Sequence, residues 1–288
     1  MAAVAARKRW GRRARGGAPS YPGWLALPAL GWYGAFFLAP LAFIFAYSFA
    51  ELSGFAGVDF AWNLENYRYL WDPVYGEVFL RTLGLAGFGT AATLLVGFPF
   101  AYWLARYAPA KTLLLLLVIL PFWTSFLIRT YAWLIILDPD FPLFRALDVN
   151  LLYSQRAIYI GVVYNYLPLM VLPLYAALSR MDWALVEAAQ DLGDGPLRAF
   201  RRITLPLSLP GIVAGSLLVF IPLTGEYLIP AILGGNKTAY AGTLIAQQFS
   251  EAHDWPFGSA IAVVVIAGMT VVLVAFSRLA ARGEVAHG

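Results

Sequence analysis

Few side chains in this sequence are equipped for chemistry, and the few that are sit in unusual company. Asp, Glu, Lys and Arg make up 12% of the 288 residues, cysteine is absent, and the two histidines, His253 and His287, stand far apart. Disulfides and thiolate metal sites are therefore excluded, and no cluster has metal-ligand spacing. No Ser/His/Asp set or carboxylate pair marks a catalytic site. Gly235-Asn236-Lys237-Thr238 lacks the glycine spacing of a phosphate-binding loop. What remains is Glu226, the single acidic residue inside an apolar run, with Tyr227 beside it, and Arg129, a lone cation in another run. A carboxylate so placed needs a partner or a wet cavity. One reading gives it an ammonium ligand, with Trp123, Tyr131, Trp133, Tyr164 and Tyr166 as aromatic faces for the ligand's stem and charge. The other pairs it with Arg129. Counted at 1.5 Å per residue along two helices, both residues lie roughly 25–30 Å from the same side.

The elements that must position these residues are apolar spans. The chain is 61% hydrophobic and 16% aromatic, and its mean hydropathy is +0.70, which points to a polytopic membrane protein. Six spans are expected: about Leu25–Phe49, Thr82–Arg106, Thr112–Leu137, Ala157–Leu178, Leu207–Leu233 and Phe257–Phe276. Ser48-Phe49-Ala50 has the small-x-small form of a cleavage site. The first run, however, far exceeds the 7–15 residues of a signal-peptide core, so it reads as a retained helix. The division expected is a basic tail (1–22), a first transmembrane helix (23–50), a polar segment rich in Trp and Tyr (51–81), a helical core (82–279) holding a polar loop (180–206), and a short tail (280–288).

The longest charged stretch in the apolar part is Glu187–Pro206, EAAQDLGDGPLRAFRRITLP. Asp182 can cap a helix, and Val186, Ala189 and Gln190 follow at helical spacing. Gly193 stands where that helix must end in a left-handed turn, and Pro196 can open a second helix. Ala188 and Ala189 are small enough for another protein's surface to approach the backbone closely.

Glu187-Ala188-Ala189, then Gly193, then Ile203-x-Leu205-Pro206 resembles the EAA loop of the membrane subunits of ABC importers, the binding-protein-dependent permeases. The stretches Leu120–Trp133 (LPFWTSFLIRTYAW), Phe220–Gly235 (FIPLTGEYLIPAILGG) and Asp254-Trp255-Pro256-Phe257 are similar to permeases of spermidine/putrescine importers. The resemblance implies an all-α integral membrane protein of the type I ABC importer permease fold. It also implies transport of putrescine or spermidine without catalysis by this chain. ATP and Mg would bind a partner ATPase dimer, to which Glu187, Ala188, Ala189, Gly193, Leu205 and Pro206 would couple. A second homologous permease, a periplasmic substrate-binding protein and membrane lipid complete the expected partners. Glu226, Tyr227, Trp123, Tyr131, Tyr164, Asp254 and Trp255 are the expected lining of the substrate path. A permease for another small solute is the alternative, and an ATP-independent secondary transporter a further one.

Charge supplies the orientation. The tail, the Arg106–Lys111 turn, the 180–206 loop and the C-terminus share one side, and they hold 14 of the 20 Lys and Arg but 5 of the 16 acidic residues. By the positive-inside rule both termini and the loop are expected in the cytoplasm of a prokaryote, with 51–81 periplasmic. Nucleic-acid binding is not expected, because the basic residues flank apolar spans and accompany no binding module.

Overall fold

The structure, a computed structural model, describes residues 23–54, 57–60, 62–147 and 149–285. The basic tail over 1–22 and the side chains of Arg278, Arg282 and Glu284, on which part of the charge argument rests, lie outside the described residues. The chain divides into a unit ending at Ile44 and one beginning at Phe45. A short 3-10 turn (Gly23–Ala26) in the first leads into α1, Leu27–Tyr47, most of which belongs to that unit, an apolar helix with no buried side chain in its most apolar stretch.

The second unit opens with a two-stranded antiparallel ribbon, β1 (Glu51–Ser53) and β2 (Gly57–Asp59), with Leu52 opposite Val58. Helix α2 (Glu65–Tyr69) is tied back by Asn66, whose amide donates to the carbonyls of Ser48 and Ala50 at 3.2 and 2.8 Å. Then follow α3 (Pro73–Arg106), α4 (Lys111–Trp123), α5 (Phe126–Ile136), α6 (Pro142–Leu147), α7 (Gln155–Ser179), α8 (Ala184–Asp191), α9 (Pro196–Thr224), α10 (Leu228–Gly234), α11 (Ala241–Ser250) and α12 (Trp255–Val285). Helices α1, α3, α7, α9 and α12 are long and apolar enough to cross a membrane, and the bent pair α4 and α5, taken together as one span, would be a sixth.

Two spans differ from the continuous helices expected of them. The third bends by 95° between α4 and α5, where Thr124 and Ser125 take extended backbone after the Pro121 turn. The fifth stops at Thr224 and restarts at Leu228. The second begins earlier than Thr82, because Asp72 caps it through Val74 N–H (2.9 Å) and Pro73 opens it. The loops 138–156 and 234–256 carry α6 and α11.

The core is the packing of α3, α7 and α9 around Leu85, Ala86, Val162, Met170, Leu174, Val219 and Leu223, all buried. Lipid offers no hydrophobic advantage to helix association, so close backbone approach through small residues supplies the contact. Gly211 and Gly215, four apart on α9, do this against α7. A Cβ at Gly211 would stand 2.7 Å from the Ala177 Cβ and 2.8 Å from the Pro173 carbonyl; one at Gly215 would stand 2.8 Å from the Met170 sulfur. Gly211→Val should therefore cost about 1–3 kcal/mol by overpacking and lower the thermal unfolding midpoint in detergent. Gly84→Ala, where nothing lies within 4 Å of the added carbon, should leave that midpoint unchanged or raise it.

Candidate functional site

Glu226 lies in the break of the fifth span. Restarting a helix inside the apolar layer leaves first-turn backbone N–H groups that lipid cannot satisfy. Here the carboxylate does so from inside the chain: its Oε1 accepts from Ile229 N–H in the first turn of α10 (3.1 Å). Its Oε2 accepts from the Tyr166 hydroxyl on α7 at 2.5 Å. The side chain is 7% exposed. Gly242, at the start of α11, lies against the same break, where a Cβ would come within 2.6 and 2.7 Å of the Gly225 and Glu226 carbonyl oxygens. Helix α11 is itself fixed to α3, since Ala241 N–H donates to Thr82 Oγ1 at 2.8 Å.

The ion pair expected between Arg129 and Glu226 is not formed. The four salt bridges among the described residues involve neither side chain. Arg129, 8% exposed on α5, instead places its guanidinium over the rings of Phe122 (5.2 Å) and Phe126 (5.7 Å). Its Nε and Nη1 are buried without a hydrogen-bond partner. Phe126 lies edge-on to Tyr166, the residue that holds Glu226. The physical reason is the break in each span: residue counting assumed two straight helices. The bend instead sets Arg129 among rings, while backbone and Tyr166 donors occupy Glu226.

The other expected path residues fall into distinct surroundings. Trp123, 75% exposed at the α4–α5 bend, and Tyr131 and Tyr227 all present open faces. Tyr164 stacks edge-on against Trp133 at 5.3 Å, and both line a shallow apolar groove of about 420 Å³ with Tyr159 and Leu167. Asp254 caps α12 through Phe257 N–H (3.0 Å), and Trp255 packs on Tyr47 and Phe249. Among the described residues no three His, Asp or Glu side chains are grouped to hold a metal. Tyr166 and Gly242 form part of the break without having been singled out; the first is one aromatic among five, and the second falls in a stretch between apolar runs that reads as a polar loop but forms the first turn of α11.

The second candidate surface is the α8–α9 connection. Asp182 accepts from Ala184 N–H at 3.0 Å, one residue before the cap position at Trp183. Val186 is buried and anchors α8. Gly193 takes the left-handed φ of +95°, its N–H donating to Gln190 (2.9 Å), and Pro196 opens α9. Asp194 accepts from Arg198 and Arg202 at 3.4 and 3.5 Å. The outer face carries Glu187, Ala188, Leu192 and Leu197, with Leu192 90% exposed. Next to it a cleft of about 510 Å³ is lined by Gly193, Pro196, Leu197, Arg198, Arg201 and Arg202. A stretch of wider π-type turns, Phe200–Thr204, carries the chain into Leu205 and Pro206 and the fifth span. Glu187 reaches Arg106 at the end of α3, at 4.0 Å.

Residues 94–283 match the family described as binding-protein-dependent transport system inner membrane component. The chain is 38% identical over 258 residues to the spermidine/putrescine transport system permease protein PotB of Escherichia coli (strain K12), covering 86% of this chain and 94% of that one. PotB of Haemophilus influenzae is also 38% identical, over 252 residues, with 84% and 86% covered. The inner membrane ABC transporter permease protein YdcU of Escherichia coli (strain K12) is 30% identical over 279 residues, with 89% of each covered. Among solved structures, a chain of a bacterial ABC transporter involved in the import of the acidic polysaccharide alginate superposes with a TM-score of 0.64 at 17% identity. It covers 96% of this chain and 99% of its own, a likeness of fold.

The geometry at the break yields a stability order. Glu226→Leu leaves the Tyr166 hydroxyl and Ile229 N–H without their acceptor and should cost at least about 2 kcal/mol. Glu226→Gln, which keeps an acceptor for Ile229, should cost less than half of that, read by unfolding of the purified protein in detergent.

Proposed function

Since the chain belongs to the family of binding-protein-dependent transport system inner membrane components, we propose that it is the permease subunit of an ATP-driven importer that carries a polyamine, putrescine or spermidine, across the inner membrane. One observation carries the mechanism: the α8–α9 connection turns at a left-handed Gly193 and presents Glu187, Ala188, Leu192 and Leu197 outward between two membrane spans. Such a knob of small and apolar side chains beside a basic cleft suits the groove of a separate ATPase. The polyamine reading is supported by the identity to permeases that bear that name, spread over nearly the whole chain.

In this reading both termini and the α8–α9 connection are cytoplasmic, in keeping with the excess of Lys and Arg there. A periplasmic binding protein delivers the cation to a pore formed with a second, similar permease. Closure of the ATPase dimer pushes on α8, and the packed helices turn as a body between inward- and outward-facing states. The open faces of Trp123, Tyr131 and Tyr227 serve the substrate's ammonium groups and stem, with Tyr164 beyond them and Asp254 and Trp255 towards the outer mouth. Because Glu226 is engaged on both oxygens, its part is to hold the break beside that path and to bias its potential negative.

The test is uptake by the reconstituted complex of this chain, the ATPase, the second permease and the binding protein. Labelled putrescine or spermidine should enter only with ATP, and unlabelled polyamine, but not alginate or an amino acid, should compete. Gly193→Val should lower that uptake at least tenfold while the chain still inserts. No side chain crowds the site, so the substitution acts through the left-handed backbone, a strain of about 1–2 kcal/mol confined to the turn. Full uptake by this variant would remove the loop from the mechanism, and uptake without ATP would remove the importer reading.

A further inference from the structure

The α8–α9 connection is joined by the chain itself to α7 and α9, but the third core helix, α3, has no such link. The end of α3 nevertheless grips it. Arg106, in the last turn of α3, sets its guanidinium over the Trp183 ring at 5.0 Å and over Tyr107 at 5.3 Å. It donates to the Tyr102 hydroxyl at 3.2 Å and faces the Glu187 carboxylate at 4.0 Å. One turn back, the Tyr102 ring lies edge-on to Trp183 (5.6 Å) and to Phe200 (6.2 Å). A further turn back, Phe98 lies edge-on to Phe200 at 5.7 Å. Trp183 stands at the start of α8, and Phe200 where α9 enters its π-type stretch.

We propose that Arg106, with Tyr102, Trp183 and Phe200, is a transmission joint that makes α3 follow the coupling helix α8, so that a push on α8 reaches all three core helices. The inference rests on the permease reading above and assigns Arg106 as a positioning residue. Its strength comes from the rings rather than from Glu187. The Arg106 side chain is 18% exposed and that of Glu187 66%, and an ion pair so open to water contributes little. A guanidinium held between aromatic faces and a hydroxyl is worth more. Glu187 consequently stays free on its outer side for an ATPase while its inner side faces a fixed cation.

The test uses two readouts on the full-length chain. Arg106→Met keeps the apolar stem and removes the charge. In the reconstituted complex it should leave the ATPase bound and lower uptake per ATP hydrolysed about tenfold, the factor that about 1.4 kcal/mol represents. Arg106→Lys should recover part of the loss, and Trp183→Leu should add nothing to Arg106→Met in the double variant. The second readout needs no transport. The chain has no cysteine, so spin labels at Trp103→Cys, exposed in the last turns of α3, and Gln190→Cys report the α3–α8 distance in the detergent-purified protein. The distribution should be narrow in the parent chain and broad with Arg106→Met. An unchanged distribution, additive losses in the double variant, or coupling equal to the parent's would overturn the joint. A parent complex that does not take up polyamine would count against the permease reading alone, and the label distances would still decide the joint.

Discussion

A backbone N–H inside a membrane must find an acceptor in the protein, and that constraint governs the two places where this chain interrupts its own helices. At the fifth span the requirement is met by Glu226, which accepts from Ile229 N–H and from Tyr166. The acidic residue is therefore a condition for the break itself. Around it the fold closes in layers. Helix α11 lays Gly242 against the Gly225 and Glu226 carbonyls, Thr82 on α3 holds the start of α11, and Gly161 on α7 admits Leu233 of α10 to 2.5 Å from where a Cβ would stand, with Ile229 at 3.1 Å. Removing the carboxylate would release α10 and α7 from the break at one site.

The third span solves the same problem differently. Its bend at Thr124 and Ser125 is closed locally, with Thr124 N–H and hydroxyl both donating to the Pro121 carbonyl at 3.1 and 2.7 Å. The cation that follows, Arg129, has rings around it but no acceptor for Nε or Nη1. Both buried charges thus stand beside a break in a span, and aromatic side chains separate them. Phe126 touches the Arg129 side on one face and Tyr166 at its edge.

What the sequence made legible was whatever is decided within a few residues. The turn at Gly193 and the helix start at Pro196 follow from local backbone chemistry and stand where the pattern put them, while Asp182 accepts from Ala184 N–H one residue before the cap position at Trp183. The six apolar runs are likewise a composition signal that needs no tertiary information. The Arg129–Glu226 pair failed for a physical reason. Depth was counted along uninterrupted helices, and neither Pro121 nor Gly225 announces whether a span bends, kinks or stops. Arg106 escaped notice because its neighbours Trp183 and Phe200 are distant in sequence. A basic residue at the end of a span reads as an interface anchor until the fold shows the rings it lies on.

These features divide the second unit into a close-packed group of three long helices and two short helices beyond the breaks. Helices α3, α7 and α9 meet through small residues at van der Waals contact, so they cannot slide without clashes such as those a Cβ at Gly211 or Gly215 would create. Such tightly packed elements move together or not at all. A force delivered at α8 enters α7 and α9 through the chain and α3 through Arg106, and no member of the core is left behind. The short helices α5 and α10 lie beyond the breaks, yet both pack on α7: Ile229 and Leu233 of α10 are buried against Gly161, and Phe126 and Trp133 of α5 lie edge-on to Tyr166 and Tyr164. Trp123, Tyr131 and Tyr227 stand beside the two breaks with exposed faces, so the proposed path for a cation runs where the helices are interrupted, next to the core that the proposed joint at Arg106 ties to α8.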